Sequence, residues 1–197
     1  MTKIDRALGS VFFGFILFIS CFCTGWWTGL ALGGAEIGCA VGAIAGIVVD
    51  ILFLKRIVSR MFTLRPLVLI SVFGLYSVGI FGFFMGVPVF NAIMGVFAGW
   101  YVGRRAKLLS AGRDEMKKPL NRAVVLSTAV LAAFCVAAAW LALRDSTTAA
   151  NLEGMLGLGF HLTQGMIWGI VLVGGALLLA AQALAAKIAA RVAYRLG

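Results

Sequence analysis

The sequence predicts an all-α integral membrane protein with six transmembrane helices in three hairpins. The 197 residues are 62% hydrophobic and only 12% charged, whereas a soluble domain carries about a quarter charged residues. Several apolar runs reach the roughly 20 residues that a helix needs to cross a bilayer. Basic residues lie between alternate runs, as they do in the cytoplasmic loops of membrane proteins.

The basic residues determine the predicted orientation. The net charge is +10, and all Lys and Arg residues except Arg144 fall near the N-terminus, within 55–65, within 104–122 or within 187–195. Because basic residues beside spans stay cytoplasmic, we expect both termini on the cytoplasmic side of a bacterial inner membrane. The 104–122 stretch has no aromatic residue to stack on bases, so we expect no nucleic-acid partner.

The first three predicted spans follow from local patterns. Span 1 (8–32) is longer than the apolar core of a signal peptide, so we expect a retained helix. A Gly-Gly pair then separates it from span 2 (35–54). Pro66 suits the first turn of a helix and begins span 3 (66–85).

The second half of the chain supplies three more spans. Residues 67–103 carry no charge, but a single helix of that length would measure about 55 Å, too long for one crossing. We therefore expect a break at Gly86-Val87-Pro88 and a short span 4 (89–103) after it. Spans 5 (120–143) and 6 (163–185) follow. Little chain is left over, so the sequence predicts a single membrane domain over 1–197.

Glycines at four-residue steps mark the predicted packing faces. Residues four apart share one helix face, and helices in lipid associate through close approach of small residues. We therefore predict that spans 2 and 4 are inner helices that pack within one chain, in preference to a homo-oligomer, with span 6 (Gly165, Gly169) as a further candidate. The predicted packing residues are Gly38, Gly42, Gly46, Gly95, Gly99 and Gly103.

Two acids and one amide are candidate ligand-binding residues inside or beside the spans. Ionisable groups in a membrane are costly and mark functional sites, which applies to Asp50; its alternative role is a salt bridge with Arg56 or Arg104. Glu36 is a candidate cation or proton site at the outer mouth, or it complements the helix N-terminus. Asn91 follows a proline at the start of a short span, a pattern typical of transporter binding sites; its alternative role is an interhelical hydrogen bond.

Two further candidates, His161 and Gln164, lie at the outer entrance of span 6. A histidine is sensitive to pH near neutrality, which makes His161 a candidate ligand- or ion-binding group. A single histidine without a second ligand at fixed spacing is a poor metal signal, so an exposed interfacial role is the alternative. We therefore predict no metal site.

The motifs of soluble enzymes do not occur in the sequence, which has no nucleophile elbow, phosphate loop or HExxH. We therefore expect no catalytic residue and no cofactor, and we predict transport or membrane binding of a small solute or ion. One alternative is a non-catalytic accessory subunit of a larger membrane complex. The second is a metal or redox protein that uses Cys21, Cys23, Cys39 and Cys135. The expected partners are the lipid bilayer and either a membrane protein or a second copy.

Overall fold

The described chain is mostly helical, and no strand occurs within it. The computed structural model describes residues 1–84, 86–157 and 159–196. Five helical segments are long and apolar enough to cross a membrane, namely Lys3–Ala31, Ala35–Ser59, Pro66–Phe83, Arg113–Arg144 and Gln164–Arg195. The predicted class, an all-α membrane protein, is confirmed at this level. The sixth span and the topology remain predictions.

Contacts divide the chain into two compact units, one from Met1 to Leu75 and one from Tyr76 onward. The single membrane domain over 1–197 and its span boundaries stay predictions. The predicted end of span 3, Met85, lies outside the described residues.

The first unit is a helical hairpin followed by a basic segment. Residues 32–34 join the two helices, and Gly33 has φ +79°, a conformation that favours glycine. The elements in order are α1 (Lys3–Ala31), α2 (Ala35–Val49), a π-helical turn (Asp50–Leu54), α3 (Lys55–Ser59), a 3₁₀ turn (Met61–Thr63) and α4 (Pro66–Phe83), in which the unit boundary falls.

Glycines on both helices bring the backbones of α1 and α2 together. A Cβ added at Gly42 would lie 2.6 Å from the carbonyl oxygen of Cys21. The α2 residues on this seam are Gly38, Gly42 and Gly46, and the α1 residues include Gly25 and Gly29. Apolar helices in lipid associate through such close approach of small residues. Both α1 and α2 supply glycines to this contact.

The second unit contains the remaining helices. After a 3₁₀ turn (Pro88–Asn91) come α5 (Ala92–Leu108), α6 (Arg113–Arg144), α7 (Thr148–Leu156), α8 (Gln164–Gly169), a π-helical turn (Ile170–Gly174) and α9 (Gly175–Arg195). Helix α5 continues past the predicted end of span 4, so that Arg104 lies inside the helix and is buried.

Helices α5 and α9 meet along two matched stripes of residues, each at four-residue steps. Gly95, Gly99 and Gly103 of α5 face Gln182, Ala186 and Ala190 of α9. A Cβ on Gly99 would overlap the backbone carbonyl of Ala186. Helix α6 packs beside them, since Leu120 and Val124 share one apolar cluster with the two alanines.

Span 6 does not pack through Gly165 and Gly169, the two glycines expected from the sequence. A Cβ on Gly169 would meet nothing within 4 Å, and one on Gly165 would meet Thr163 Oγ1 at 3.9 Å. The alanines of α9 pack instead, because an alanine opposite a glycine still allows the two backbones to approach closely.

Candidate functional site

Asn91 is a buried amide at the start of α5. Pro88 opens the 3₁₀ turn that Asn91 ends, and a proline at that position leaves no unsatisfied N–H. Asn91 is 3% exposed, and its Nδ2 donates a 2.9 Å hydrogen bond to the carbonyl oxygen of Ser77. Its Oδ1 is buried and accepts no hydrogen bond from any described residue. The amide therefore retains one unused acceptor.

Gln182 is a second buried amide, and sequence reasoning missed it. The side chain on α9 is 1% exposed, and neither Nε2 nor Oε1 has a hydrogen-bond partner among the described residues. Gly95 provides the space for it, because a Cβ on Gly95 would overlap the Gln182 side chain. Asn91 precedes by four residues, about one helical turn, the glycine against which Gln182 packs.

Thr128 of α6 is a third side chain of the second unit with a buried polar atom. Its Oγ1 is buried and unpaired within the described chain. Thr128 lies one turn beyond Val124, which packs near Ala186 and Ala190. The start of α6 lies beside the end of α9, so the two helices run in opposite directions.

These three neutral side chains hold the buried polar atoms of the second unit that lack a described partner, and we call them the amide site (Asn91, Thr128, Gln182). An amide oxygen accepts and an amide nitrogen donates hydrogen bonds, and a hydroxyl does both. A buried polar group without a partner costs about 1–3 kcal/mol. Such groups have the chemistry to bind a small polar solute, or to coordinate a cation through their oxygens.

The two candidate acids, Glu36 and Asp50, lie in the first unit, apart from the amide site in sequence. Glu36 is exposed in the first turn of α2, where a negative charge is favourable. Asp50 begins the π-helical turn, a feature frequent at functional sites. Its Oδ2 would lie 3.6 Å from a Cβ on Gly14, and its buried Oδ1 has no hydrogen-bond partner among the described residues.

The structure brings His161 together with an acid of the outer segment. His161 Nδ1 lies 3.2 Å from Glu153 Oε2, and the backbone N–H of Leu162 donates to Glu153 Oε1 at 2.5 Å. Glu153 therefore links α7 to residues 161–162, which precede α8. Gln164 is exposed at the first position of α8, and the structure gives it no part in this contact.

The Glu153 contact predicts a pH-dependent local stability. The Leu162 N–H holds the pKa of the Glu153 carboxyl below its ordinary value, against an opposing effect of desolvation, and His161 lowers that pKa further. A group with a lowered folded-state pKa stabilises the fold above its unfolded pKa, and that contribution is lost as the pH falls through the folded pKa. We expect the Leu162 amide to lose protection from hydrogen exchange below about pH 4.3, the ordinary glutamate pKa.

A Glu153→Gln protein is the control for this experiment. The amide retains an acceptor for Leu162 but does not titrate, so its protection factor should not change over the same acid range. Protection that stays constant in the wild type, after correction for intrinsic exchange rates, would contradict the assignment.

The four cysteines are free thiols. Within residues 1–84, 86–157 and 159–196, no three His, Cys, Asp or Glu side chains come close enough together to hold a metal ion. Neither a protein-family model nor a curated protein nor a solved structure matches this chain.

Proposed function

We propose that this is a small membrane transport protein that binds a small polar solute or ion at the amide site. The observation that carries the proposal is the presence of four buried polar atoms without described partners on three side chains of the second unit. The proposal includes a bacterial inner membrane and cytoplasmic termini, on the strength of the basic loops.

The unpaired atoms favour a binding role over a purely structural one. Polar side chains that only join helices in a membrane form hydrogen bonds across the interface, each worth about 1 kcal/mol. Asn91 Nδ2 fits that role through its bond to Ser77. Gln182 does not, since neither end of its amide is bonded to a described residue.

The residue types favour binding over chemical conversion. Amides and hydroxyls neither gain nor lose protons near neutral pH, so they bind without acting as acid or base. The uncharged donor and acceptor atoms suit a neutral polar solute, and the oxygens alone suit a weakly held monovalent cation.

A stability screen followed by an uptake assay tests the proposal. The purified full-length protein is heated with single small polar solutes or with single cations, and a ligand at 100 times its Kd adds about 2.7 kcal/mol of stability. We expect one chemical class to raise the Tm of the wild type and to be taken up by liposomes that contain it.

A Gln182→Met protein should show neither effect, because methionine fills similar space without an amide. Leu184→Met is the matched control, since it introduces the same residue at an exposed position of α9. Equal responses from all three proteins would contradict the assignment of the amide site.

A further inference from the structure

A basic groove lies between the start of α6 and the end of α9. Its cavity volume is about 550 Å³. Each wall consists of residues at four-residue steps, which place them on one helix face. The α6 wall is formed by Arg113, Lys117 and Asn121, and the α9 wall by Lys187, Arg191 and Arg195.

The floor of the groove is apolar, and a hydrogen bond fixes the tyrosine beside it. Met116 and Leu120 line it and are buried. Tyr194 lies beside them, and its hydroxyl donates a 2.9 Å hydrogen bond to the carbonyl oxygen of Ala111. The ammonium of Lys107 lies 5.7 Å from the centre of the Tyr194 ring, a cation–π contact that supports this arrangement.

The charge of the groove is strongly positive. Five of the lining side chains are Lys or Arg. Asp114 neutralises one of them, since its Oδ1 lies 2.7 Å from Lys117 Nζ. The carboxylate of Glu115 accepts a hydrogen bond from the backbone N–H of Gly112. The α9 wall keeps its three cations at successive helical turns.

We propose that this groove binds the headgroup of one anionic phospholipid. Arginine and lysine bind phosphate through charge-assisted hydrogen bonds, and basic pockets between membrane helices bind such headgroups. The groove lies at the charged ends of two helical segments that are long and apolar enough to cross a membrane, Arg113–Arg144 and Gln164–Arg195. The apolar floor then accommodates the start of an acyl chain, which a soluble phosphate lacks.

The test measures lipid binding to the full-length protein in mild detergent by native mass spectrometry. The protein is titrated with phosphatidylglycerol and, separately, with uncharged-headgroup phosphatidylcholine. We expect one phosphatidylglycerol to bind at least tenfold more tightly than phosphatidylcholine. A Lys187→Gln/Arg191→Gln protein should lose at least tenfold of that affinity without a change in Tm, because both side chains are exposed.

The matched control is Lys118→Gln/Arg122→Gln, which removes the same charge from exposed positions of α6 outside the groove. We expect less than a twofold change in its affinity. Equal losses in both double variants would overturn the proposal in favour of a general surface attraction. No loss in the groove variant would overturn it as well. Displacement of the lipid by inorganic phosphate at matched concentration would assign the groove to a soluble anion instead.

Discussion

A Gln182→Met protein is expected to be more stable than the wild type when no solute is bound. The Gln182 amide is 1% exposed, and neither of its polar atoms bonds to a described residue. Such a group costs about 1–3 kcal/mol, and methionine removes that cost while keeping a similar volume in the core. We therefore expect the free energy of unfolding to rise by about that amount.

The sign of this change separates two roles for the residue. If Gln182 held helices together through a hydrogen bond, its removal would lower stability by about 1 kcal/mol. If it is a binding group, stability rises and solute binding is lost. Unfolding in mixed micelles of a mild detergent and dodecyl sulfate, after the protein has been dialysed, measures the difference.

The control for this comparison is again Leu184→Met. Its position is exposed on α9, so the change introduces a methionine without removing an amide. We expect its free energy of unfolding to match that of the wild type. A Gln182→Met protein that is less stable than this control would contradict the binding role.

A Gly99→Ala substitution is expected to separate α5 from α9. The added Cβ would overlap the carbonyl oxygen of Ala186, and a backbone atom inside a helix cannot move aside as a flexible side chain can. Overpacking of this kind costs about 1–3 kcal/mol, which outweighs the roughly 1 kcal/mol that alanine gains over glycine in a helix. Thermal unfolding in detergent should show a lower Tm.

Gly79→Ala is the matched control for that seam. Gly79 also lies inside a helix, in the part of α4 that belongs to the second unit, but a Cβ there would meet nothing within 4 Å. We expect its Tm to equal or slightly exceed that of the wild type. Similar losses in both variants would show that the α5–α9 contact is not the cause.

The helical class follows from the sequence because hydropathy and length alone specify an apolar helix. The turn at Pro88 can also be predicted from the sequence, since a proline and a nearby glycine interrupt an uncharged run. The four-residue glycine steps indicate which faces of α2 and α5 lack side chains and can pack closely against another helix. They do not identify the partner, because Gly25 of α1 and Ala186 of α9 stand among many similar small residues.

Sequence reasoning identified Asn91, one of the three residues of the amide site. Asn91 attracted attention because it follows a proline at the start of a short span. Gln182 was missed, although one amide within an Ala- and Leu-rich run is the signal that would have found it. The π-helical turn at Asp50 had no signal, because a shift of the backbone hydrogen bonds leaves composition and hydropathy unchanged.

The most direct test of the amide site is mass spectrometry of the purified protein, first native and then denatured, with metals quantified. We expect one small polar molecule or ion at near-unit occupancy on the wild type and on Leu184→Met, and none on Gln182→Met. Full occupancy on Gln182→Met would contradict it, as would a wild-type protein that carries no small molecule or ion and arrives with a stoichiometric partner protein.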